Sequence, residues 1–223
     1  MNRRVALIAC LAAAALLAIT TVSRSKDAPS AAPSADEQAQ MMKAWMELAK
    51  PGQPHQKLAA FAGEWDVTTK MFMGGPDGRV EESKGKATIR SVLGGRFIEE
   101  HVEGQMDIPD ETGKPRPTKF DGMGLTGYDN YKKAYVGTWA DSMGTVLLSY
   151  QGTDNPAKPD ELTFYGEMAE PGLGLQGRLI KYHRKIVSKD KWVFTMYDLA
   201  RGDDFKAMEI TYVRRGQVRE PQK

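Results

Sequence analysis

The stretch GEWDVTTKM, Gly63 to Met71, sets Trp65, Val67, Thr69 and Met71 at every second position, with Glu64, Asp66, Thr68 and Lys70 between them. Successive side chains of a strand point to opposite faces, so this pattern describes a strand with one face for a core. The same period returns in Leu162, Phe164, Gly166 and Met168, and again in Trp192, Phe194 and Met196. Turn-forming clusters separate such runs: Gly74 to Gly78, Gly94-Gly95, Asp129-Asn130, Met143-Gly144, Asn155 to Asp160, Pro171 to Gly174, Lys189-Asp190 and Arg201 to Asp203. From Leu58 onward about ten short β-rich runs follow one another, and no long helical pattern intervenes to serve a parallel crossover. A meander of antiparallel strands has two exposed edges unless it closes. The expected fold is all-β: a closed antiparallel up-and-down β-barrel of about ten strands with an N-terminal helix, a two-sheet sandwich being the alternative.

Upstream of the barrel the chain changes character. Met1 to Arg4 is short and basic, Val5 to Val22 is an almost unbroken apolar run, and small and polar residues follow. This is the pattern of an export signal over residues 1–25; a run of about 18 residues is also close to a membrane span, so an anchor through residues 5–22 is the alternative. The expected location is periplasmic or secreted, or anchored to the inner membrane. The tetrapeptide Leu7 to Cys10 superficially resembles a lipoprotein cleavage site, but cutting there leaves too short an apolar core. Cys10 is the one cysteine, so the mature part offers no disulfide and no thiolate.

Residues 26–40, rich in Ser, Ala, Pro and charge, are expected to be a disordered linker. Between Asp36 and Lys50, Met41, Met42, Trp45, Met46, Leu48 and Ala49 fall at helical spacings before Pro51-Gly52. An amphipathic helix with its connection is assigned to 41–57, packed on the barrel or across its open end; a Met-rich lid or a membrane contact is the functional alternative. The barrel takes 58–216, and 217–223 form a disordered tail. Hydrophobic content of 41% with 27% charge suits a soluble globular domain. The 31 basic and 29 acidic residues are spread along the chain, leaving no basic stripe, so nucleic acid is not an expected partner.

Five ordered segments, LAAFAGEWDVTTKMF, IRSVLGGRFIEEHVEG, GLTGYDNYKKAYVGTWADSMGT, LTFYGEM and FKAMEITYVRR, span Leu58 to Arg215. Together they resemble the bacterial family known as domain of unknown function 1579. The resemblance implies a calycin-like barrel, related in architecture to lipocalins, fatty-acid-binding proteins and nitrobindins, and it implies no particular reaction. In calycins a Gly-x-Trp on the first strand places an indole at the closed end, beneath an Arg from the last strand. Gly63, Glu64 and Trp65 match the first half of that device. Met208, Ile210, Tyr212 and Arg214 share the apolar face of the last strand, so Arg214 points with Trp65 as a structural plug and Arg215 points outward.

The same parity sorts the polar residues. Ile98, Glu100 and Val102 fall inside, while Glu99, His101 and Glu103 fall outside. The outer Glu-x-His-x-Glu has the spacing of a metal site, yet a solvated charged face accounts for it, and no metal is expected. Ile180, Tyr182, Arg184 and Ile186 form the inner set of the eighth strand. An internal Glu100 and Arg184 are costly unless they pair or receive a polar head group. The histidines are His55, His101 and His183; the first precedes the barrel and the others face solvent. Neither the haem of nitrobindins nor a triad built on Asp141-Ser142 is therefore expected. Gly122, Gly124 and Gly127 lie within a strand, where they make room for twist, curvature or a ligand rather than cradling a phosphate.

The expected function is binding of a small hydrophobic or amphipathic ligand inside the barrel. Its lining is assigned to Tyr128, Trp139, Phe164, Tyr182, Met196 and Met208, with Glu100 and Arg184 as polar contacts. The alternatives are a structural or interaction domain whose barrel is filled by its own side chains, or an enzyme using a desolvated Glu100 as general base. No catalytic residue and no cofactor is assigned.

Overall fold

The computed structural model describes residues 32–170 and 174–216. The export segment, Cys10 and the tail at 217–223 lie outside the described residues. Among the described residues, no helix is long and apolar enough to cross a membrane.

Ten strands form the domain: β1 (Gly63–Met73), β2 (Arg79–Val92), β3 (Phe97–Pro109), β4 (Pro115–Asp129), β5 (Ala134–Asp141), β6 (Leu148–Asn155), β7 (Lys158–Glu170), β8 (Leu175–Ser188), β9 (Lys191–Asp198) and β10 (Lys206–Arg214). Each pairs with its neighbours in the chain, and β10 returns to β1 with Trp65 opposite Arg214 and Met71 opposite Met208, which closes the barrel. Closure satisfies the edge hydrogen bonds that a sandwich would leave open. One hairpin falls outside the turn clusters read from the sequence: β3 and β4 meet across Asp110 to Lys114, where the Asp110 carboxylate accepts from the backbone of Thr112 and Lys114 at 2.9 and 3.1 Å.

Among the described residues, two helices precede β1. The first, α1, spans Ala35–Leu48, so residues 35–40 of the expected linker are helical. Its start is set by a reciprocal cap: Ser34 N–H donates to Glu37 Oε2 at 2.7 Å, and Glu37 N–H donates to Ser34 Oγ at 3.3 Å. The Ser and Pro content of the neighbourhood masks that Ser-x-x-Glu signal. None of the α1 residues is buried, and Met41, Met42, Trp45, Met46 and Leu48 are exposed. The described residues up to Glu47 belong to one unit and those from Leu48 to another.

The second helix, α2 (Gln53–Ala59), packs on β3 and β4 and feeds the plug at one end of the barrel. Leu58, Phe61, Trp65 and Trp192 are all but fully buried there. Trp65 Nε1 donates to Phe61 O at 2.9 Å, and the Trp192 ring meets those of Phe61 and Trp65 edge-on at 5.0 and 6.2 Å. The Arg214 guanidinium lies 4.2 Å from the centre of a Trp65 ring. Cation–π attraction of this kind is worth about 0.5 to 2 kcal/mol, more where water is excluded. Arg215, one residue on, faces outward to Glu64 and Asp66. Large apolar burial, more than any single ion pair, holds this end together.

A cavity inside the barrel

Beyond the plug the strand pleat brings one inward side chain from each strand to each level. On the ladder, Glu100 of β3 stands opposite Ile89 and Gly124, and Arg184 of β8 stands opposite Leu162 and Phe194. The interior is not filled. A cavity of about 350 Å³ runs from the level of Glu100, Arg184 and Trp192 to Met106, Met143 and Leu148 near the opposite strand ends. That volume falls at the small end of the range for ligand sites, roughly 300 to 1,000 Å³.

Glycines shape its wall. A Cβ added at Gly122 or Gly124 would lie 2.5 or 2.9 Å from the Trp139 ring, and one at Gly137 would strike the Tyr150 ring. Only a bare backbone lets these rings lie flat along β4 and β5. Trp139 Nε1 is then fixed by Asp141 Oδ2 at 2.9 Å. Asp141 also accepts from Met143 N–H, and Ser142 Oγ accepts from Asp121 N–H, so both side chains are engaged in shaping the loop after β5.

Glu100, Trp139, Phe164, Tyr182, Arg184, Met196 and Met208 all line this cavity. Tyr128 does not. Its ring packs edge-on against Tyr135 at 5.0 Å and His55 at 5.8 Å. Strand parity gives the face of Tyr128 correctly but not its depth: it stands next to the last residue of β4, on the plug side of the cavity. Tyr150, Trp192, Phe194 and Tyr212 line the cavity beyond the residues assigned to it from the sequence. A further inward pair, also absent from that assignment, lies at the other end of β8, where Arg178 Nη1 meets Asp198 Oδ2 at 2.7 Å and Nη2 meets Glu170 Oε2 at 3.1 Å. Arg178 has the parity of Ile180, Tyr182 and Arg184, so extending that face by one more step finds it.

The polar floor is compact. Arg184 Nη2 faces Glu100 Oε2 at 3.7 Å, and Tyr212 OH donates to Glu100 Oε1 at 2.8 Å. Tyr212 is stacked on Trp192 at 3.6 Å with 13° between the planes. Across the floor, Thr126 Oγ1 and Tyr150 OH share a hydrogen bond of 2.8 Å. The Arg184 guanidinium lies 5.5 to 5.8 Å from rings of Phe164, Trp192 and Phe61. Burial, reinforced by the charge of Glu100 and the hydrogen bond to it, holds the Tyr212 phenol well above its usual pKa of 10. Burial likewise raises Tyr150, with Arg184 and Thr126 opposing, and pushes Tyr182 up to about 12. All three phenols keep their protons at neutral pH.

Three buried donors on this lining have no hydrogen-bond partner among the described residues: Arg184 Nη1, Tyr182 OH and Trp192 Nε1. Most buried polar atoms in folded proteins are satisfied, and leaving one unmade costs about 1 to 3 kcal/mol. Among the described residues no group of three His, Cys, Asp or Glu side chains is arranged to hold an ion. His101 and His183 lie on the outer face, beside Glu99 at 3.4 Å and Glu161 at 3.2 Å.

The chain matches the family described as "Protein of unknown function (DUF1579)" over residues 50–214. No curated protein matches it. Among solved structures it is similar to a redesigned beta barrel, b11L5F_LGL, at 16% identity and TM-score 0.33, covering 75% of this chain and 99% of that one. It is similar also to the redesigned barrel mFAP1 bound to DFHBI, at 15% identity and TM-score 0.34, covering 73% and 100%. A third is a de novo designed fluorescence-activating beta barrel, at 14% identity and TM-score 0.36, covering 71% and 96%.

Proposed function

The chain belongs to the family described as "Protein of unknown function (DUF1579)", and we propose that its barrel carries a small, mostly apolar ligand with one polar end. The observation that carries this reading is the cavity of about 350 Å³ with Glu100 and Arg184 together at its floor. A lining of aromatic and methionine side chains suits an apolar body of variable shape, because thioethers repack at little cost. A few convergent polar groups at one level suit a single orientation of the bound molecule. A barrel filled by its own side chains would have no such space, and an ion pair in a filled core would be matched by full hydrogen bonding.

On this reading the barrel works outside the cytoplasm, delivered by the basic and apolar segment Met1 to Val22 or held at the inner membrane by it. N-terminal sequencing of the natural protein should begin between Arg24 and Asp36; a soluble product starting at Met1 contradicts export. Binding is tested with N-phenyl-1-naphthylamine, a neutral apolar fluorophore. Its emission should rise in a saturable, one-site manner while emission from Trp139 and Trp192 changes, since both line the cavity. Absence of saturable binding would favour a structural or interaction domain whose cavity takes no such ligand.

A further inference from the structure

The donors and charges at the floor specify more than a polar end. Among the described residues lining the cavity, Arg184 is the buried cation, and Glu100 stands 3.7 Å from it. The two cancel, so a ligand reaching Arg184 meets a neutral pair rather than a cationic pocket. A carboxylate placed against Arg184 would sit beside the Glu100 carboxylate, and like charges at such separations repel strongly where water is excluded. Hydrogen bonding is unbalanced in the other direction. Arg184 Nη1, Tyr182 OH and Trp192 Nε1 are buried donors without partners. Arg184 and Tyr182 are 6% and 7% exposed and Trp192 is 2% exposed. Glu100, the nearest strong acceptor, already takes Tyr212 OH at 2.8 Å and faces Arg184. The tyrosine hydroxyls do not become anionic acceptors, because burial keeps Tyr182 and Tyr212 protonated. What is lacking is an acceptor that brings no charge and has two lone pairs.

Resting on the reading of the barrel as a ligand carrier, we propose that the ligand's polar end is a neutral carbonyl oxygen, as in a ketone, ester, lactone or amide. Its oxygen accepts from Arg184 Nη1, with Tyr182 OH, two residues away on the same face of β8, as the second donor. The apolar body extends past Phe164, Phe194 and Met196 toward the strand ends at Met106 and Leu148. A hydrocarbon would leave the donors unmade, an alcohol would supply an unneeded donor, and a carboxylate would meet the repulsion from Glu100.

Three compounds of nearly equal shape separate these possibilities: 2-acetylnaphthalene, 2-ethylnaphthalene and 2-naphthoate, each used to displace bound N-phenyl-1-naphthylamine. In the native protein the ketone should displace the probe at least about tenfold more effectively than either competitor, in line with a charge-assisted hydrogen bond in a dry site. Glu100→Gln leaves Arg184 uncompensated, so naphthoate should gain at least about tenfold relative to the ketone. Tyr182→Phe keeps the ring and removes only the hydroxyl; it should lower the ketone's advantage over ethylnaphthalene, and it serves if Glu100→Gln fails to fold. Should the probe bind while the ketone shows no advantage, or naphthoate bind best to the native protein, the carbonyl assignment is overturned. If the probe itself does not bind, the carrier reading fails instead.

Discussion

Two inward-facing arginines occupy opposite situations in the same barrel. Arg214, at the plug, donates through Nη1 to Ala62 O at 3.0 Å and through Nε and Nη2 to Lys189 O at 3.2 and 3.1 Å. It also faces Asp190 at 3.3 Å and lies over Trp65. Arg184, in the middle of the barrel, has one ionic neighbour at 3.7 Å and a buried Nη1 with no hydrogen bond. Both positions follow from the same strand parity. The difference is one of completion: structure accounts for every group on Arg214, whereas Arg184 has binding capacity left over. Arg178 also has a buried Nε without a partner, but it lies outside the cavity lining; what sets Arg184 apart is an unmade donor on the cavity wall.

That contrast predicts an order of effects. Trp65→Ala removes the large ring at the centre of the plug and should cost about 3 to 5 kcal/mol in urea unfolding, with the cavity term included. Arg214→Ala should cost about 2 kcal/mol, because it strands backbone carbonyls and uncovers the indole. Arg215→Ala, which breaks only exposed pairs with Glu64 and Asp66, should cost less than about 1 kcal/mol. Equal losses for the two arginine variants would show that position in the barrel does not matter as argued. The combined change Arg184→Met with Glu100→Gln removes the central ion pair without stranding a charge. Its stability should lie within about 1 kcal/mol of the native protein, since buried pairs are often replaceable by neutral groups of similar volume. A loss as large as that of Arg214→Ala would place Arg184 among the structural arginines.

The smallest effect concerns pH at the plug side. His55 Nδ1 accepts from Gly52 N–H at 2.9 Å, and burial lowers its pKa from 6.5, opposed by a hydrogen bond with the Tyr128 backbone. The unfolded chain then takes up this proton at a higher pH than the folded one does. Acidification through 6.5 therefore favours unfolding, and the stability His55 supports is present above that pH. The decline in urea midpoint below neutral pH should be shallower in His55→Gln. An identical pH profile in the two proteins would mean that His55 is not the group responsible.

Alternation carries most of the architecture into view before any coordinates. Trp65 to Met71 and Met208 to Arg214 need only the two-residue period and the need to close an edge. The inward placement of Glu100 and Arg184 comes from the same source. Tyr128 shows the limit of that reasoning: parity says which face a residue takes, and depth along the barrel depends on the stagger of neighbouring strands. Arg178 shows a different limit, since its face is readable only if the inner set of β8 is carried one step past Ile180. The start of α1 is marked by Ser34 and Glu37, whose capping signal competes with a composition typical of linkers. Which donors are left without partners has no sequence signature, because it is decided by distances between strands far apart in the chain.

The central claim is that the middle of the barrel is a binding site, and calorimetric titration of N-phenyl-1-naphthylamine into the folded barrel at several temperatures tests it most directly. The expected result is one molecule bound per chain with a negative heat-capacity change, the mark of apolar surface leaving water. Binding should also weaken, by about 1 kcal/mol or more, in a variant with Phe164→Ala, where the cavity wall loses its ring. Binding without a defined stoichiometry, with no heat-capacity change and the same affinity in that variant, would mean adsorption to the outer surface and would contradict an internal site.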